Sequence, residues 1–219
     1  NHLGNYGRAG TGETIRLLAE RGIAPAGLGM AAFEEVRGLT FAFLAFNGVG
    51  ARIDRTALVR QIEQARLQAD VVVVQVHWGK EYTHVPQPSP GIAPDDPREI
   101  ARIAIDAGAD LIIGNHPHWV QGVELYGDGF VAYAHGNFIF DQMWSRETRE
   151  GVVGRYTFYG RQLVAVEYRP VLIENYAQPH FVAGAEAEGI LGRIEEASRY
   201  LASLPPPPRR RLSDVGRRQ

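Results

Sequence analysis

The run Val71-Val72-Val73-Val74-Gln75-Val76 constrains this chain more than any other stretch. Continuous β-branched residues without polar alternation predict a strand buried on both faces, which places it inside a parallel sheet covered by helices. The residues ahead of it fit that reading. Asp54 can cap a helix whose Leu58, Ile62, Ala65 and Ala69 recur at helical spacing. The strand then ends at His77-Trp78-Gly79. The same grammar follows once more. Asp96 caps and Pro97 opens a helix carrying Ile100, Ile103, Ala104 and Ala107, closed by Gly108. A short apolar strand at 110–114 then runs into Asn115-His116-Pro117-His118. Ligands in such units collect at the carboxyl ends of the strands, where both histidine groups lie.

Around these two units the pattern predicts a helix over 11–21, capped by Thr11 and inward on Ile15, Leu18 and Ala19, and a strand over 39–46. Residues 85–97 are proline-rich and read as loop. After residue 120 strands dominate. Segments 123–126 and 130–135 flank Gly127-Asp128-Gly129 as a hairpin, and 152–158 and 162–168 flank Tyr159-Gly160-Arg161 as a second. A last helix over Gly184–Ser203 is expected to turn Leu191, Ile194 and Leu201 inward. The expected class is α/β, an α+β sandwich, with one domain over 1–204. A Pro/Arg-rich tail over 205–219 reads as disordered or as a linker.

Composition removes several classes. With no cysteine in 219 residues, neither a disulfide framework nor a thiolate metal site is possible. A net charge of −2 gives no general attraction to nucleic acid or to an anionic membrane. No apolar stretch is long enough to span a bilayer.

His77, His116 and His118 are the candidate metal ligands, because neutral imidazoles aimed at one point have few other uses. In the His-Pro-His segment strict alternation would send the two rings to opposite faces, whereas a bend at Pro117 would let them address adjacent metals. Single histidines at strand ends are usually structural, and His84 and His180 are read so. Glu81 and Tyr82 could face a substrate, or be a solvated carboxylate and a core tyrosine. Arg146 could grip a carboxylate or phosphate through its planar fork, or be a surface arginine. Asn137 and Asp141 could contact substrate or only shape a turn.

Several phrases appear together and in order: Val76-His77-Trp78-Gly79-Lys80-Glu81-Tyr82, Asp106-Ala107-Gly108-Ala109-Asp110, Gly114-Asn115-His116-Pro117-His118 with Gln121 and Glu124 following, and Gly136-Asn137-Phe138-Ile139-Phe140-Asp141. With Asn1-His2 and Tyr6-Gly7 they resemble the CapA family of capsule and poly-γ-glutamate synthesis proteins over about residues 1–170. That family belongs to the calcineurin-like metallophosphatases, so the resemblance implies a two-sheet sandwich flanked by helices, incomplete at its N-terminus. It implies Asn1, His77 and His116 on one metal, His118 on another, and His2 as the imidazole that protonates a leaving group. The superfamily's first two acidic motifs would lie upstream of Asn1. The retained donors would then all be neutral, and weak metal affinity is expected. Asn5 and Asn115 stand where the family usually has aspartate and histidine, and His135 where it usually has leucine.

The resemblance implies two divalent cations (Mn, Zn, Fe or Mg) and in-line attack on a phosphoester during synthesis, export or anchoring of an anionic envelope polymer. It also implies an extracytoplasmic setting, with contact to membrane-associated capsule machinery and no nucleic-acid partner. Two alternatives stay open: a non-catalytic polymer-binding module, and a metal-dependent epimerase acting on a peptide.

Overall fold

A computed structural model describes residues 1–207. The predicted tail falls mostly outside the described residues. Its first part includes Pro205, whose carbonyl accepts a hydrogen bond from Arg98 at 3.2 Å.

The structure has two sheets flanked by helices, as the pattern predicts. The larger holds β1 (Ala32–Val36), β2 (Leu39–Asn47), β3 (Val71–His77), β4 (Leu111–Asn115), β5 (Val123–Tyr126) and β6 (Gly129–Ala132), in the order β1-β2-β3-β4-β6-β5. β3 lies parallel between β2 and β4, with Asn47, His77 and Asn115 side by side at their carboxyl ends. Helices α2 (Arg55–Arg66) and α3 (Pro97–Asp106) cover one face, where Leu58, Ile62 and Ile100 pack on Val72, Val74 and Ile112. Asp54 and Asp96 cap them by accepting from Ala57 N and Arg98 N, at 3.0 Å and 2.9 Å. The opposite face presents Val71, Val73 and Leu111 to Tyr156 and Phe158 of the second sheet. That sheet is β7 (Glu150–Tyr159), β8 (Gln162–Glu174) and β9 (Gln178–Phe181), all antiparallel.

Three expectations are corrected. The first helix, α1, spans Gly7–Glu20, so Thr11 lies inside it. Its hydroxyl bonds back to Gly7 O at 3.2 Å instead of capping. No residue of α1 is buried, and Ala19 faces solvent. In α4 (Gly184–Ser203) Ile194 and Leu201 are inward as expected, while Leu191 is 38% exposed and Ile190 takes its place on the buried stripe. The edge strands β1 and β9 are additions to the predicted elements. Each carries charged or polar residues on solvent-facing positions, and so lacks the apolar signal of an interior strand.

Candidate metal centre

Two tight packing events carry the histidines to one place. Trp78, fully buried, donates from Nε1 to Tyr133 O at 3.1 Å, and its backbone N–H meets Asn115 O at 3.0 Å. The end of β3 is thereby locked against the end of β4. Gly114 leaves the space this needs: a Cβ there would come within 2.0 Å of Tyr133 O and 2.2 Å of Trp78 Nε1.

Beyond Gly114 the chain enters a rare conformation. His116 and His118, on either side of Pro117, have φ of 98° and 62°, in the left-handed region that non-glycine residues avoid. This breaks the strand alternation and brings both rings toward one space. Their ring centroids lie 6.1 Å apart, and the His77 and His116 rings 4.8 Å apart. Left-handed residues of this kind cost about 1–3 kcal/mol each and persist where surrounding structure enforces them.

Glu81 enters the same space. Its Oε1 is 3.7 Å from His116 Nε2 and 3.8 Å from His118 Nε2, and one donor atom from each of the three side chains falls within 4.8 Å of the others. The expectation that only neutral donors remain in this chain is therefore corrected, because a carboxylate stands at the cluster. Sequence spacing does not assign it there, since Glu81 reaches the histidines only through the turn at Gly79 (φ 79°) and Tyr82 (φ 58°).

The electrostatics suit metal binding. Burial, then the neighbouring His116, depresses the His77 pKa to about 4. Burial also lowers His116, against the opposing pull of Glu81. Both rings are therefore neutral near pH 7 and offer lone pairs. His118 and His2 also lie near enough to lower both groups further. His116 Nε2 is buried without a hydrogen-bond partner. A donor set of imidazoles and a carboxylate, with one buried nitrogen unpaired, fits a divalent transition metal.

Asn137 lies beside His118. Its Nδ2 donates to Gln142 Oε1 at 3.2 Å and Thr148 O at 2.8 Å, which turns Oδ1 toward His118 Nδ1 at 2.9 Å. Arg146, half-exposed, pairs with Glu150 at 2.7 Å and Glu186 at 3.4 Å. Asp141 is exposed. Tyr82 stacks on His118 with centroids 5.9 Å apart, and Phe140 lies 5.2 Å from the same ring. Asn1 lines a neighbouring apolar cavity of about 420 Å³ with Asn47, Phe46 and Leu18. His84 Nδ1 donates to Val120 O over 2.8 Å and His180 lies out at Glu174, so neither joins the centre.

An α/β protein with a histidine–carboxylate cluster at the carboxyl ends of its parallel strands is the class that fold and site define. Residues 1–142 match the bacterial capsule synthesis protein PGA_cap family, and the chain belongs to that family. It is 33% identical over 177 residues to the PGA biosynthesis protein CapA of Bacillus subtilis, covering 71% of this chain and 44% of that protein. It is 31% identical over 199 residues to the capsule biosynthesis protein CapA of Bacillus anthracis, covering 80% and 46%. The chain thus spans about half the length of the curated relatives it matches. Among solved structures it aligns with a hypothetical protein from Thermus thermophilus at a TM-score of 0.46 and 16% identity, over 64% of this chain and 60% of that one.

Proposed function

We propose that this chain carries the histidine-rich part of a metal-dependent phosphoesterase centre acting in the assembly of an anionic cell-envelope polymer. The supporting observation is His116 Nε2, buried, unpaired and facing Glu81. An unsatisfied buried nitrogen costs on the order of 1–3 kcal/mol, a cost that a bound cation would offset. His77, His116 and Asn1 would hold one cation, with His118 on a second, and Glu81 would supply negative charge to both. Held there, divalent ions would supply Lewis-acid polarisation of a phosphoryl oxygen and a water made nucleophilic near neutral pH.

The chain's own residues supply the rest. Asn137 keeps the His118 proton on Nδ1, so that Nε2 faces the cluster as an acceptor. The low pKa of His77 keeps that ring free of a proton over the working range. His2, whose charge reaches both His77 and His116, would protonate the leaving oxygen, the role the family resemblance implies. The family supports an envelope setting; no helix among the described residues is long and apolar enough to cross a membrane.

The test is turnover by the full-length protein. Phosphate release from a panel of phosphoesters should require manganese or zinc, stop with chelator, return on re-addition and be lost in His116→Ala. Tight metal binding with no turnover of any phosphoester, together with retention of the polymer on the protein, would replace this reading by that of a binding module.

A further inference from the structure

We propose that Tyr82 is a substrate-facing hydrogen-bond donor of the metal centre, placed to meet a phosphoryl oxygen of the bound substrate. This rests on the metal-centre reading and adds to it the group that contacts the substrate.

Three features tie Tyr82 to the cluster. Its backbone N–H donates to Pro117 O at 2.9 Å, in the middle of the His116-Pro117-His118 turn. Its ring lies nearly parallel to that of His118, at an interplanar angle of 20°. Its phenol sits within interaction range of the Glu81 carboxylate and of Gln142. The backbone carries a φ of 58° to achieve this, a conformation an aromatic residue adopts only when its surroundings hold it there.

A core tyrosine held for packing alone would be covered. Tyr82 is 39% exposed, and Trp144, edge-on to it at 6.4 Å, is 67% exposed. The ring therefore forms part of the open wall of the site, and its hydroxyl lies on the side of Glu81. Glu81 is the carboxylate that faces His116 and His118, so loading of the centre engages it and frees the phenol proton for another acceptor. The unprotonated oxygens of a phosphoryl group only accept, and a neutral donor suits them beside a carboxylate. Arg146, the other candidate for gripping a phosphate, pairs with Glu150 and Glu186.

The experiment is calorimetry on the whole protein, wild type against Tyr82→Phe, in two stages. Manganese is titrated first, and inorganic phosphate is then titrated into the manganese-loaded protein. The phenylalanine ring preserves the stacking on His118 and removes only the hydroxyl. The expected result is equal manganese affinity and a phosphate affinity about tenfold weaker in the variant, the loss typical of one hydrogen bond to a charged group. Equal phosphate affinity in both proteins overturns the proposal and leaves the metal reading intact. Loss of manganese affinity in Tyr82→Phe also overturns it, because the hydroxyl would then serve to orient Glu81. A wild-type protein that takes up no manganese removes both readings together.

Discussion

His118 and Asn137 are joined by a hydrogen bond of 2.9 Å between Nδ1 and Oδ1, across 19 residues of chain. Because the Asn137 amide nitrogen is already engaged with Gln142 and Thr148, the oxygen must face the imidazole. That fixes which ring nitrogen carries the proton and leaves Nε2 as the lone pair turned toward Glu81. Removal of an orienting partner of this kind lowers metal affinity by roughly 10–100-fold. Asn137→Ala is expected to fall in that range, measured by manganese titration, with circular dichroism confirming that the fold persists. Asn137→Asp should retain more affinity than the alanine variant, since it keeps an acceptor for Nδ1–H.

Gly114 sets the distance between the two histidine segments. An added methyl would overlap both Tyr133 O and Trp78 Nε1, and backbone on one side leaves it nowhere to go. Gly114→Ala is expected to lose about 3 kcal/mol of stability, at the upper end of the usual cost of overpacking. Urea denaturation measures this directly. A midpoint equal to wild type would mean that the ends of β3 and β4 are not held as described.

His135 makes the protein acid-sensitive without taking part in the metal centre. It is hydrogen-bonded to Tyr156 Oη at 2.8 Å, and Tyr156 to Tyr168 at 3.2 Å. Burial depresses its pKa from 6.5 to about 4. Between these values the unfolded chain binds a proton that the folded protein refuses, so stability falls as pH drops from about 6.5 to 4. The unfolding midpoint should follow that direction, and His135→Leu should flatten the slope over the same window. An unchanged slope in the variant would show that His135 does not contribute and that the other depressed histidines, His77 and His116, carry the dependence.

Interior elements are legible in the sequence because each carries two concurrent signals. β3 combines a β-branched run with a capped helix before it, and β4 repeats the arrangement around Asp96 and Pro97. Positions fixed by contacts distant in sequence are not legible. Glu81 reaches the cluster because Tyr82 is held left-handed by Pro117, a contact that local spacing does not encode. Arg146 has one partner four residues away, Glu150, and a second, Glu186, 40 residues away that spacing does not reveal. Asn137 reads as a substrate contact or a turn residue because its partners Thr148 and His118 belong to different segments of the fold. Leu191 is one position off the buried stripe, since helix periodicity gives the width of an apolar stripe more reliably than the side that docks.

His77, His116, His118 and Glu81 together are held to form a centre for a divalent cation, and on that everything about function rests. The most direct measurement is calorimetric titration of manganese or zinc into the protein and into His116→Ala and Glu81→Gln. Wild type is predicted to bind saturably. His116→Ala is predicted to lose more than the roughly 10–100-fold expected for an orienting residue, and Glu81→Gln to show a clear loss from the missing charge. Absence of binding by wild type, or equal affinity in wild type and His116→Ala, would contradict it.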